Sequence, residues 1–238
     1  MKKKMRSKED VLLASSYAEA GDKIFDQIDF ERNALQSSIE IFEPSSIKYG
    51  VPIPKRLDVI ALVSGLSFSK SLQSELKTIQ NELSSCLDEV NHYWVEPQRF
   101  AVEYFVFKWP TDDYSTEIEA KAREACTLLP LDIYDLLISG IQVHQDGCVV
   151  ANGYDSKNMI RNSREFLRNF DCRFPQRQSN WAHIPLGRIL EPLGTQRFDL
   201  LKNKVTEITS RLDLKERIFD AKLVFETRWY MLEYKVLY

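Results

Sequence analysis

Residues 179–190 read SNWAHIPLGRIL and place one histidine, His183, in a short apolar run that ends in a glycine and an arginine. A second stretch, residues 99–108 (RFAVEYFVFK), is equally apolar but contains no histidine. Apolar runs of this length, bounded by polar or proline-containing segments, are typical of buried β-strands. We therefore ask whether these two stretches are strands that face each other across a groove.

The composition is that of an ordinary soluble globular protein. The chain has 238 residues, of which 44% are hydrophobic and 28% charged, enough for one sizeable core. A formal net charge of -3 argues against a protein that coats nucleic acid, although a local basic patch is still compatible with it. Only 8 glycines occur, and no glycine-rich phosphate loop motif is found.

Cysteine and histidine usage predicts neither a metal site nor a cofactor. The four cysteines stand far apart, with no CxxC pair, and the three histidines do not cluster at zinc-ligand spacing. Reduced, packed thiols of this kind favour a cytoplasmic protein. The basic start of the chain is not followed by a signal-peptide core, and no run of about 18 apolar residues predicts a membrane span.

The pattern of elements predicts an α+β fold with largely antiparallel sheets. Residues 1–55 form an N-terminal extension, helical over 8–35, with a proline-rich linker over 36–56. Residues 56–238 form the main domain, in the order β-α-β-β, α, β-β-α-β, α, β-β. The expected strands are 57–64, 90–95, 100–107, 132–143, 148–152, 181–190, 217–226 and 228–236, and the expected helices of this domain are 70–86, 116–127, about 156–169 and 195–211.

The segment Ala182-His-Ile-Pro-Leu-Gly-Arg188 resembles the second motif of the 2H phosphoesterase superfamily. That motif has a histidine, a β-branched residue and then a threonine or serine on a strand. The resemblance covers roughly residues 57–238 and implies a bilobal fold of two similar halves. Two mainly antiparallel sheets would line a central groove, with helices outside. Each half would contribute one histidine to phosphodiester chemistry.

The sequence departs from that family where the chemistry is carried. The first motif falls on Ala101-Val-Glu103, so alanine stands for the histidine and glutamate for the threonine, and Pro185 replaces the second threonine. Ala101 cannot transfer a proton, and an ionised Glu103 in the groove would repel a phosphate. Losing one general acid or base costs roughly 100- to 10,000-fold in rate. We therefore expect weakened or altered chemistry.

Two residues are the catalytic candidates, each with a plainer interpretation. His183 is either the surviving acid–base group or a histidine packed beside Trp181. Glu103 is either a surface strand residue or a proton-sharing partner of His183 that would raise its pKa.

Four residues are the substrate-binding candidates. Tyr104 and Trp181 are either stacking platforms for bases or core aromatics. Arg188 and Arg177 are either phosphate contacts or solvated charges. Strand alternation puts Arg188 on the face opposite His183 unless a bulge at Gly187 intervenes.

Three functions are compatible with these residues. The first is a divergent phosphoesterase that acts on a cyclic nucleotide or an RNA end. The second is a pseudoenzyme that binds a nucleotide or RNA without cleaving it. The third is a protein-interaction module that meets its partner through residues 1–55.

Overall fold

The computed structural model describes residues 8–238, with side chains from residue 10 onward, so the basic start at residues 1–7 lies outside the described part. The elements in chain order are α1 (Lys8–Phe25), α2 (Arg32–Ile39), α3 (Pro44–Lys48), β1 (Arg56–Ser64), α4 (Lys70–Ser84), β2 (His92–Trp94), β3 (Val102–Lys108), α5 (Thr116–Leu128), β4 (Tyr134–Val143), β5 (Cys148–Asp155), α6 (Met159–Phe170), β6 (Ile184–Ile189), α7 (Thr195–Arg211), β7 (Leu214–Ile218), β8 (Lys222–Arg228) and β9 (Glu233–Val236). A 3-10 turn, Pro97–Arg99, precedes β3.

The strands form two antiparallel sheets. The first sheet has the order β3-β1-β8-β9 and the second the order β2-β6-β5-β4-β7. The predicted fold class, α+β with two antiparallel sheets, is confirmed. The two quoted stretches lie in different sheets, because β3 is an edge strand of the first and β6 lies inside the second.

One large core joins the two sheets. It contains apolar side chains from both, including Ile60 and Phe105 of the first and Ile138 and Ile184 of the second. A smaller apolar cluster covers the other face of the first sheet; its buried members are Val59, Ala61, Val63, Val106, Val224 and Met231. Strand β1 therefore buries side chains on both faces, in line with its near-continuous apolarity.

Several local signals in the sequence lead to the expected structure. Ser69 caps α4 by accepting a hydrogen bond from the main-chain N–H of Leu72 at 3.2 Å. The Gln145-Asp-Gly147 turn joins β4 to β5, and Gly147 has φ of +82°, the left-handed region that favours glycine. Helix α7 begins at Thr195, as the sequence predicts.

Four segments differ from the sequence-based expectation. The helix expected over 8–35 is interrupted between α1 and α2, and the strand expected over 228–236 is reduced to β9 after a turn. The linker over 36–56 contains the end of α2 and all of α3, because Pro44 occupies the first helical position, where its missing N–H costs nothing. The expected strand over 217–226 is divided by a turn. Its first part belongs to β7 in the second sheet and its second part to β8 in the first, so the chain crosses between sheets near Asp220.

The N-terminal helices pack onto the second sheet. Tyr17 of α1 is 1% exposed, and its hydroxyl donates to the Gly153 carbonyl oxygen (3.2 Å) and accepts from the Ala182 N–H (3.0 Å). Leu35 of α2 is equally buried. Helices α1 and α2, which were expected to form a separate extension, therefore also pack against the second sheet, on strands β4, β5 and β6. The division at residue 55 stays a prediction.

Candidate functional site

A β-bulge decides which side chains of β6 share a face. Val149 pairs with Gly187 but Val150 pairs with Pro185, so Leu186 is the extra residue. Pro185, which has no N–H to donate, suits a strand at such an irregularity. The bulge reverses the alternation beyond Leu186 and brings Arg188 to the same face as His183. The sequence analysis required a bulge at Gly187 for Arg188 and His183 to share a face. The structure has such a bulge one residue earlier, at Leu186.

His183 lies in a cluster of aromatic rings. Its ring meets Trp181 edge-on at 5.9 Å between centroids, and the His144 ring lies 4.9 Å from the Trp181 ring, centre to centre. Tyr17 of α1 contacts the same indole at 5.4 Å, and the Trp181 Nε1 donates to the Ser16 hydroxyl at 2.9 Å. The N-terminal helix therefore forms one wall of the surroundings of the candidate histidine.

These surroundings keep His183 neutral. Burial, followed by the positive fields of His144, Arg164 and Arg188, lowers the pKa of His183 to about 3. Its Nδ1 is buried and has no hydrogen-bond partner among the described residues. The expected rise in pKa from a carboxylate partner is absent, because the charged groups that act on His183 are cations.

Arg188 is held by protein groups on three sides. Its guanidinium pairs with the Asp146 carboxylate at 2.9 Å and donates hydrogen bonds to the Tyr230 hydroxyl and to the Ser38 hydroxyl of α2. An arginine with its donors engaged in this way anchors α2 and the Asp146 turn to β6. Its role in binding a substrate phosphate stays a prediction.

Ala101 and Glu103 lie at the start of β3, beside the approach to β6. A single nitrogen of Arg164, Nη2, donates to the Glu103 carbonyl oxygen and to the Trp181 carbonyl oxygen, each at 2.8 Å. The two quoted stretches are therefore brought side by side. Burial raises the pKa of the Glu103 carboxyl, and the field of Arg164 opposes that rise. A direct Glu103–His183 pair stays a prediction.

Tyr104 is a core residue, which corrects its assignment as a base-stacking platform. It is 1% exposed, and its hydroxyl bonds to the hydroxyls of Ser64 and Tyr134. Tyr104 lies in the main core with Val102, two residues before it, as strand alternation places it. A second bulge, with Val63 paired to Glu103 and Leu62 to Phe105, makes Tyr104 the extra residue of β3. A ring enclosed in this way has no face for a base.

Arg177 lies away from the ring cluster around His183. Its guanidinium carbon stands 5.5 Å from the centroid of the Trp109 ring, and Trp109 Nε1 donates to the Arg177 carbonyl oxygen. The neighbouring Gln178 bonds to both main-chain groups of Val106, which fixes this loop along the outer edge of β3. The structure thus does not bring Arg177 together with His183 and Arg188.

Two important residues, Tyr17 and Arg164, were missed by the sequence reasoning. In α1, Val11 and Leu12 are 54% and 62% exposed, whereas Tyr17 and Ile24, seven residues apart, are buried. That spacing was a usable helical signal. Arg164 had no comparable signal, because its carbonyl partners on other elements are set by the tertiary fold.

Replacing His183 by glutamine is expected to reduce the acid sensitivity of folding. A histidine with folded pKa of about 3 takes up its proton more readily when unfolded, where its pKa is about 6.5. The wild-type protein therefore loses stability as pH falls below about 6.5, by about 1 to 2 kcal/mol from this group between pH 7 and 5. Urea unfolding at both pH values measures it.

The difference between the two proteins is the informative quantity in that experiment. The buried Glu226, with pKa raised to about 7 by burial, acts in the opposite sense, since its contribution is lost as pH rises from about 4.5 to 7. His144, whose pKa is lowered by burial, acts in the same sense as His183. Equal pH dependence in wild type and His183→Gln would contradict a His183 that is held neutral by the fold.

The described residues hold no group of three or more histidine, cysteine, aspartate or glutamate side chains placed to bind a metal ion. Among them no helix combines the length and apolarity needed to cross a membrane.

Comparisons with known proteins support the fold. ATU0111, a conserved protein of unknown function from Agrobacterium tumefaciens, aligns with a TM-score of 0.58 at 13% identity, covering 77% of this chain and 86% of that one. TT0787 of Thermus thermophilus aligns with a TM-score of 0.54 at 13% identity, covering 76% and 95%. No family model and no curated protein matches the sequence.

Usb1 of Kluyveromyces marxianus, solved with uridine monophosphate, aligns less well. Its TM-score is 0.46 at 13% identity, over 77% of this chain and 98% of that one. This likeness is too low to carry an argument about the present chain. The fold is thus a two-sheet antiparallel α+β fold that this chain shares with ATU0111 and TT0787.

Proposed function

We propose that the protein is a non-catalytic relative of the 2H phosphoesterases that binds a nucleotide or an RNA end without cleaving it. The proposal rests on the residues found at the two positions where the family has its paired catalytic histidines. One is Ala101, and the other is His183, whose pKa of about 3 leaves it neutral near pH 7. General acid–base catalysis is most effective when the pKa lies near the working pH.

The remaining groups on the two strands also argue against turnover. Pro185 offers neither a hydroxyl nor an N–H to a phosphoryl oxygen. The Arg188 guanidinium is engaged by Asp146, Tyr230 and Ser38. A developing negative charge at this place would therefore meet few free donors, although such donors supply much of the rate enhancement in acyl and phosphoryl transfer.

Incubation with 2′,3′- and 3′,5′-cyclic nucleotides is expected to give no turnover above the uncatalysed background. The purified wild type and the His183→Ala variant should be indistinguishable, because neither supplies a working acid–base pair. Product formation is followed by chromatography at pH 5, 7 and 8. Turnover by the wild type that disappears in His183→Ala would overturn the proposal and restore the phosphoesterase assignment.

A phosphoesterase with reversed roles is the second candidate. It is favoured by burial raising the pKa of the Glu103 carboxyl, which makes this carboxyl a candidate general acid. In the same assay, turnover that Glu103→Gln abolishes would select this candidate. The third alternative, binding of a protein partner through residues 1–55, stays a prediction.

A further inference from the structure

A cleft of about 710 Å³ lies between α1 and α6. Its walls include Ser16 of α1, three arginines of α6 and the side chain of Trp181. The arginines are Arg161, Arg164 and Arg168, and the amide side chains of Asn169, Gln176 and Asn180 line the same space. This volume lies within the range of small-molecule sites.

The three arginines share one face of α6. They follow one another at spacings of three and four residues, which places them side by side on a helix. Like charges at these spacings destabilise a helix. Burial lowers the pKa of Arg164 most, the Glu103 carboxyl and Tyr17 oppose that effect, and the field of Arg168 adds a smaller lowering. Such a cluster is stabilised when an anion lies among its members.

No protein carboxylate forms an ion pair with this cluster in the part of the chain that the structure describes. Nine other arginines of the chain do form ion pairs there. Asp155, which also lines the cleft, is occupied instead by the main-chain N–H groups of Lys157 (2.9 Å) and Ile160 (2.7 Å). Two further carboxylates, Asp10 and Glu165, stand at the cleft wall.

Two of the guanidinium groups have donors to spare. Arg164 is only 5% exposed and bonds to three carbonyl oxygens through Nε and Nη2, with no acceptor for Nη1 among the described residues. The Nε of Arg168 is buried without a hydrogen-bond partner there. Buried cationic donors without acceptors are costly unless a ligand supplies the acceptors.

We infer that this cleft binds the phosphate group of a mononucleotide-sized phosphate ester, held by Arg161, Arg164 and Arg168. Guanidinium groups match the geometry of phosphate oxygens and bind them in pairs of hydrogen bonds. The amide side chains at the rim provide donors and acceptors for the rest of the ligand. The inference rests on the proposed function only for the choice of a nucleotide as the probe.

Calorimetric titration at pH 7 with adenosine monophosphate, adenosine and pyrophosphate tests the site. The wild type is expected to bind the monophosphate and pyrophosphate, with adenosine at least tenfold weaker. Arg168→Gln and Arg161→Gln should each weaken monophosphate binding about tenfold, the effect of one lost charge-assisted contact. Arg32→Gln, an exposed arginine at the start of α2 that does not line the cleft, is the matched control and should stay within twofold.

Three results would overturn the inference. The first is no binding of either phosphate compound at millimolar concentration. The second is monophosphate binding that both α6 variants leave unchanged, which would place the nucleotide elsewhere and leave the proposed function standing. The third is a 5′-phosphorylated tetranucleotide that binds more than tenfold tighter than the monophosphate, which would assign the site to nucleic acid. Cyclic-nucleotide turnover, by contrast, would overturn only the proposed function.

Discussion

Replacing Arg164 by alanine is expected to lower the free energy of unfolding by about 3 to 5 kcal/mol. The guanidinium donates to the carbonyl oxygens of Glu103, Tyr104 and Trp181, all at 2.8 Å. Hydrogen bonds from a charged group contribute about 1.5 to 3 kcal/mol each, and buried acceptors left without donors cost more than the bond itself. The loss would be felt in both sheets, because β3 belongs to one and residue 181 leads into the other.

Urea unfolding followed by far-ultraviolet circular dichroism measures this loss. Arg161→Ala is the matched control, since Arg161 is an exposed arginine on the same helix and should change stability by about 0.5 kcal/mol or less. Arg164→Lys keeps the charge but not the planar fork, and is expected to lose about 2 kcal/mol. A loss below about 1 kcal/mol in Arg164→Ala would show that Arg164 does not join the two sheets.

Replacing Tyr17 by alanine is expected to cost about 3 to 5 kcal/mol in a single unfolding transition. The side chain is 1% exposed and packs against Trp181 and Tyr154, so its removal leaves a large cavity under α1. Tyr17→Phe keeps the packing but removes the hydroxyl that bonds to Gly153 and Ala182, and should cost about 1 kcal/mol.

The same experiment tests whether residues 1–55 are a separable unit. Leu12→Ala, at an exposed position of the same helix, is the control and should change stability by about 0.5 kcal/mol or less. If α1 unfolds together with the sheets, Tyr17→Ala lowers the midpoint of the main transition. An unchanged midpoint with faster hydrogen exchange in α1 would instead indicate a helix that opens by itself.

The helices and strands of the main domain were largely within reach of sequence reasoning. Their signals are local: the apolar run at β1, the Ser69 cap of α4 and the glycine turn at Gly147 act within a few residues. The segment near Asp220 was misassigned because its apolar pattern continues while its two ends pair with different sheets. Local patterns contain no information about which sheet a strand joins.

For the candidate site, too, some features were predictable from local sequence and others depended on the tertiary fold. The absence of an imidazole at Ala101 and of a hydroxyl at Pro185 follows from residue identity alone. The shared face of His183 and Arg188 depends on a bulge at Leu186, and a one-residue slip reverses every side chain beyond it. Tyr104 lies in the main core together with Val102, so strand alternation alone already points its ring away from a base.

The sequence by itself therefore determined the α+β class, the apolar stretch that becomes β6 with His183 one residue before it, and the absence of an imidazole at Ala101. Only the tertiary structure decided that α1 packs beside His183, that its imidazole is neutral and that Arg164 joins the two strand ends. The physical reason is the distance along the chain over which each property is set. Chemical identity is a property of single residues, whereas burial, pKa and hydrogen-bond partners arise from groups far apart in the chain.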